Sequence, residues 1–127
     1  MIVVDTSALI AIARKEGQAM DCFSVLARTD LILISAPTLT EAFVVAGQKN
    51  VTAQLVDLLE TIRLQVIPLD EAGARLAADA YSLWGKNYHP AELNYGDSFC
   101  YSLAKQMNCP LLFIGNDFSQ TDIVSAI

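Results

Sequence analysis

The sequence predicts an α/β fold in which a parallel sheet carries helices on both faces. Three observations lead there. Short apolar strands alternate with longer helical segments from one end of the chain to the other. No internal repeat, low-complexity tract or linker interrupts that alternation. Acidic residues follow several of the strands directly, and in such folds ligands collect at the carboxyl ends of the strands.

Ile2 to Val4 reads as a short buried strand. Thr6 to Arg14 reads as a helix, capped by Asp5 or Thr6. A second helix is predicted over Gln18 to Leu26, and Leu31 to Ile34 forms a strand of leucine and isoleucine. Ser35 has the character of an N-cap, Pro37 fits a first helical turn and Gly47 fits a C-terminal stop. Val51 to Ile62 is helical, because Val51, Leu55, Leu58, Leu59 and Ile62 share one face. Leu64 to Ile67 is a third strand, stopped by Pro68, and Ala72 to Trp84 is a helix. Residues 85 to 96 form a polar loop. Asp97 to Gln106 is a helix that is apolar almost all round, which predicts burial. Pro110 to Ile114 is a fourth strand, and Asn116 to Ile127 holds a short helical turn and a last short strand.

At 127 residues the chain is read as one domain, 1–127, with one core. Hydrophobic residues make up 54% and charged residues 17%. That balance predicts strands buried on both faces or a sizeable partner interface. No apolar run reaches the roughly 18 to 20 residues of a membrane span. The opening Met1-Ile2-Val3-Val4-Asp5 lacks a basic segment and reaches an acid after three apolar residues, so it is not read as a signal peptide. Cys22, Cys100 and Cys109 are odd in number and lack metal-ligand spacing, so they are expected as reduced core thiols in a cytoplasmic protein. The net charge of −6 excludes a broad basic surface for nucleic acid. It does not exclude a nuclease, because carboxylates reach phosphate through a metal ion.

The candidate chemistry lies in four acids. Asp5 follows the first strand and precedes Thr6 and Ser7, whose hydroxyls and backbone N–H groups share its neighbourhood. Glu41 has Pro37, Thr38, Val44 and Val45 at helical spacing, so no basic neighbour pairs with it locally. It therefore points to solvent or meets a partner from elsewhere in the fold. Asp97 follows Gly96 at the head of the buried helix, where an N-cap is the plain alternative. Asp117 lies in Gly115-Asn116-Asp117-Phe118, a composition also typical of a turn. Asn116 and Asp122 compete with Asp117 for the fourth position. Two carboxylates about 4 Å apart repel by roughly 4 kcal/mol at an effective dielectric of about 20. A cluster of four needs protons or a cation to offset this, and oxygen-only donors favour Mg²⁺ or Mn²⁺ over zinc. His89 is the only histidine and is expected in solvent, in the polar loop.

Four segments together make a specific pattern: Val3-Val4-Asp5-Thr6-Ser7-Ala8-Leu9, Thr40-Glu41, Leu93-Asn94-Tyr95-Gly96-Asp97-Ser98-Phe99, and Gly115 to Ile123. In order and spacing they resemble the PIN domain, and more narrowly the VapC-type toxins of bacterial toxin–antitoxin pairs. The resemblance implies a three-layer α/β/α sandwich. It also implies a Mg²⁺- or Mn²⁺-dependent endoribonuclease acting on structured RNA such as tRNA or rRNA. A homodimer held inactive by a cognate antitoxin, touching DNA only through that antitoxin, is implied as well. The metal-site acids would be Asp5, Glu41, Asp97 and, fourth, Asp117. Thr6, Ser7, Asn94, Asn116 and Asp122 would support them, with Asn94 positioning Asp97 or touching RNA.

Two other classes compete. A haloacid-dehalogenase-like phosphoryl-transfer enzyme needs an Asp-x-Asp after the first strand, but position 7 is Ser. A receiver domain needs paired acids there and a lysine after a late strand, and has neither. An acidic binding module for a basic partner segment remains compatible with the charge.

Overall fold

The computed structural model describes residues 1–127. Four strands, β1 (Ile2–Val4), β2 (Ile32–Ser35), β3 (Leu64–Ile67) and β4 (Leu111–Leu112), form one parallel sheet in the order β3-β2-β1-β4. Six helices connect them: α1 (Thr6–Ala13), α2 (Ala19–Arg28), α3 (Ala36–Gln48), α4 (Thr52–Thr61), α5 (Glu71–Trp84) and α6 (Tyr95–Gln106).

Side chains alternate across a strand, and the core divides accordingly. Ile2 and Val4 of β1 and Ile32 and Ile34 of β2 pack with α1 to α4 in one cluster. Val3 and Leu33, one residue out of phase, pack with α6, Ala80, Leu93 and Phe118 in another. The result is the three-layer α/β/α sandwich, with β1, β2 and β4 buried on both faces and the edge strand β3 partly exposed. That double burial accounts for the apolar composition. No helix is long and apolar enough to cross a membrane.

The chain moves from β1 to β2 to β3 and then returns across the sheet to place β4 on the other side of β1. The order reverses between β1 and β4. The crevice outside the carboxyl ends of these two strands is therefore where a ligand is expected. The Asp5 amide sits in it, donating to the Leu112 carbonyl at 2.9 Å.

Several boundaries differ from the sequence reading. The helix expected at Asp97 begins at Tyr95 instead, because Asn94 caps it. The Asn94 side chain accepts from the Asp97 amide at 2.8 Å, and Asp97 Oδ2 accepts from the Asn94 amide at 3.1 Å. This reciprocal pair is a capping box, so Asp97 is its third helical residue rather than the cap. Gly47 does not end α3. The helix continues to Gln48, and the reversal comes at Asn50, whose φ of 57° a short amide side chain tolerates. β4 shrinks to two residues. Its ladder with β1 runs only from Val3↔Leu111 to Val4↔Leu112, and the Ile114 amide turns away to the Ser7 hydroxyl at 3.0 Å. The tail forms turns and a single parallel bridge, Leu111↔Ser125, in place of a helical turn and a strand. His89 is half-buried rather than exposed. Its ring stands edge-on to Trp84 at 4.7 Å, and its Nδ1 accepts from the Ala91 amide at 2.9 Å.

Candidate active site

Asp5 leaves β1 at the sheet's reversal and caps α1. Its Oδ2 accepts from the Ser7 amide at 3.1 Å and from the Ser7 hydroxyl at 2.6 Å. Since Ser7 Oγ also accepts from the Ile114 amide, one serine ties the strand-end acid to the segment beyond β4. The cap and the functional reading of Asp5 are thus compatible: one oxygen serves the helix. Its other oxygen, Oδ1, accepts from the Cys100 thiol at 3.2 Å, and Cys100 is fully buried on α6.

Glu41 finds its partner outside its own helix. Oε1 accepts from the Thr6 hydroxyl at 2.6 Å, joining α3 to the first residue of α1. Oε2 lies against the first turn of α6, where a Cβ built on Gly96 would collide with it. Gly96 has a helical backbone and is needed for space, not for its torsion angles. This close approach of the backbone is what glycine supplies here.

Asp97 is only 8% exposed. Its carboxyl is pushed up from 3.8 to about 7, first by burial. The Asn94 amide opposes this, while the charges of Asp5, Asp117 and Glu41 add to it. The charges of three acids from elsewhere in the chain thus reach Asp97 at the edge of the sheet. Asp117 is the exposed member, on a loop held down by the buried Phe118, whose ring packs on Phe113 at 5.0 Å.

Two supporting candidates lie differently. Asn116 is exposed, and its backbone oxygen accepts from the amide and hydroxyl of Ser119 in a turn. Asp122 does not act on Asp97. Its Oδ1 accepts from the Tyr101 hydroxyl at 2.5 Å and its Oδ2 from Lys105 at 2.9 Å, and the Tyr101 bond, ahead of Lys105, holds its carboxyl below the ordinary range. Tyr101 in turn accepts from the Trp84 indole at 2.8 Å. Asp122 fastens the tail to α6 and α5.

Sequence reasoning missed Cys100 and Gly96. Cys100 follows Asp97 by three residues and so shares its helix face, a spacing that was legible. The Gly96–Glu41 contact joins segments 55 positions apart in the chain and left no local signal.

The donor set is oxygen only, and its buried carboxylates repel one another, which fits a hard divalent cation. As the side chains stand, no three of them form a ready-made cage for an ion. An incoming cation would draw them together or complete its shell with water, as Mg²⁺ commonly does. The largest cavities lie elsewhere. One of about 590 Å³ sits beside Leu26, Asp30 and Arg63.

The PIN domain family model matches residues 2–124. Ribonuclease VapC28 of Mycobacterium tuberculosis is 38% identical over 130 residues, covering 99% of this chain and 98% of that protein. Among solved structures, the chain is similar to Mycobacterium tuberculosis VapC20, a sarcin–ricin loop cleaving toxin. The TM-score is 0.78 at 16% identity, covering 98% of this chain and 97% of that one. A toxin–antitoxin complex from Klebsiella pneumoniae has a TM-score of 0.75 at 18% identity, covering 100% and 98%.

Proposed function

The chain belongs to the PIN domain family, and from that premise we propose that it is a metal-dependent endoribonuclease acting as the toxin of a toxin–antitoxin pair. The observation that carries this reading is the convergence of Asp5, Glu41 and Asp117 on the buried Asp97 at the reversal of the sheet, where burial first, and their charges with it, push its carboxyl up to about 7. A like-charged cluster of this kind on a nuclease-family scaffold is best explained by a cation it is built to receive.

Asp5 and Asp97 would hold the metal, with Asp5 oriented by Ser7 and Asp97 by Asn94. Glu41, held by Thr6, and Asp117 would complete the site directly or through water. A bound Mg²⁺ or Mn²⁺ supplies a more acidic water and positive charge facing the phosphate. The residues' own work is to aim the carboxylates at the place where a phosphodiester would meet water in line with its leaving oxygen, the cation offsetting the charge that burial disfavours on Asp97. Because net charge is −6, grip on RNA comes from the cation and from local side chains.

Structured RNA, tRNA or rRNA, is the proposed substrate. Support comes from relatives named as ribonucleases and from a like-folded toxin named for cleaving a sarcin–ricin loop. A cognate antitoxin and a homodimer are the proposed partners. Exposed Phe43, Val44, Leu76 and Leu83 offer apolar surface for such contacts. Three unpaired cysteines fit a reducing cytoplasm. The whole chain is read as a single nuclease domain.

The test is induced expression of wild type and Asp5→Ala with mapping of new RNA ends. Discrete ends with wild type alone, and cleavage by the purified protein that stops in EDTA, are expected. Cleavage that persists in excess EDTA would overturn the metal reading.

A further inference from the structure

We propose that Cys100 is a positioning residue, whose buried thiol aims the Asp5 carboxylate for metal binding. The inference rests on the reading of Asp5 as a metal-site carboxylate.

Asp5 is 7% exposed, so each of its oxygens needs a donor from the protein or from whatever binds there. Oδ2 has two, both from Ser7. Oδ1 has one protein donor, the Cys100 thiol at 3.2 Å. The thiol also lies 3.4 Å from the Asp97 carbonyl one turn back in α6. It has a single proton, and the charged acceptor competes better for it than the helix carbonyl, which already serves the helix. Ser7 and Cys100 thereby grip the carboxylate from both ends and fix the plane in which its free lone pairs point.

The placement follows from helix geometry. Asp97 and Cys100 stand three residues apart on α6 and face the same way. One helix therefore presents an acid to the site and a donor to the acid opposite. A residue of this size without a donor would fill the space and leave Oδ1 unheld. A thiol is a weak donor, which restrains the oxygen while leaving it able to ligate a cation.

The experiment compares wild type with Cys100→Ala, Cys100→Ser, Asp5→Asn and Asp97→Asn. Mn²⁺ alone is titrated calorimetrically into the metal-free protein, and RNA cleavage is followed at saturating metal. Infrared spectra of the metal-free protein are recorded in the S–H stretching region. Thermal melts in EDTA confirm folding.

Cys100→Ala is expected to weaken Mn²⁺ binding about tenfold, the lower end for partners that orient metal ligands. Cys100→Ser, which keeps a donor, should restore it to within about threefold. A hydrogen-bonded S–H band should vanish in Cys100→Ser and shift in Asp5→Asn. If Ala and Ser weaken binding equally, the thiol merely packs and the proposal falls. It falls also if Ala leaves affinity unchanged while Asp97→Asn abolishes binding. If Asp97→Asn binds Mn²⁺ and cleaves RNA like wild type, the acid-site reading itself fails.

Discussion

Asp97→Asn should make the metal-free protein more stable while removing its activity, and the gain should grow with pH. The substitution keeps the shape, and its side-chain oxygen still accepts from the Asn94 amide, so the capping box survives. What it removes is a buried charge among like charges. The carboxyl's folded value of about 7 lies above its ordinary 3.8. The neutral form is thus favoured by folding, and the stability this provides is lost as pH rises through that window. From 3.8 to about 7 the full loss is about 4 kcal/mol. At pH 5 only about 1.6 kcal/mol of it has been lost, and by pH 8 nearly all of it. The effective dielectric of about 20 that holds even at buried sites, with the Asp117 side exposed, brings these figures to roughly half. Asparagine never ionises. Its stability advantage in EDTA should therefore increase by roughly 1 to 1.5 kcal/mol between pH 5 and pH 8. Urea unfolding at the two pH values measures it. Saturating Mg²⁺ should reverse the order, since metal at a hundred times its dissociation constant adds about 2.7 kcal/mol to the protein that binds it. A variant whose advantage stays flat or shrinks with pH would refute the assignment of strain to Asp97.

Other substitutions separate stability from function at the same rim. Gly96→Ala should push Glu41 from its seat, lowering metal affinity and cleavage at least tenfold. The same change should lower stability by up to about 1 kcal/mol in urea unfolding, because losing the Thr6–Glu41 bond outweighs what alanine gains over glycine in a helix. Thr6→Val should remove the 2.6 Å bond to Glu41 and cost about 1 to 2 kcal/mol in urea unfolding. Thr6→Ser should keep both stability and cleavage. Thr38 carries a buried hydroxyl with no hydrogen-bond partner. Thr38→Val should therefore be neutral or stabilise by about 1 kcal/mol in the same assay.

The fold was legible because burial of the sheet writes itself into local composition. Val3-Val4 and Ile32-Leu33-Ile34 are short continuous apolar runs, and between them lie α1, buried on most sides, and α2, with one apolar face. That pattern determines a parallel sheet between helical layers before any contact is known. Boundaries were less legible where two local signals competed. At α6 both Asn94 and Asp97 are good capping residues, and only the reciprocal bonds between them reveal which one caps. At α3 the glycine looked like a stop, but a helix ends where its last carbonyls find other partners, and Asn50 supplied the turn.

For the candidate site, sequence by itself determined the residue types and their local settings: Asp5 and Asp117 after strands, Glu41 on a helix and Asp97 at the head of one, with Asn94 beside it. Only the tertiary structure decided which of these act on one another. Asp122 was the weaker rival of Asp117 in the chain, and Tyr101 and Lys105 hold it apart. Glu41 lacked a partner in its own helix and gained one from Thr6, 35 residues away. Periodicity and capping are local and repeat along the chain, so they can be read in one dimension. Mutual repulsion of carboxylates, and the donors that restrain them, depend on distances between segments that only folding brings together.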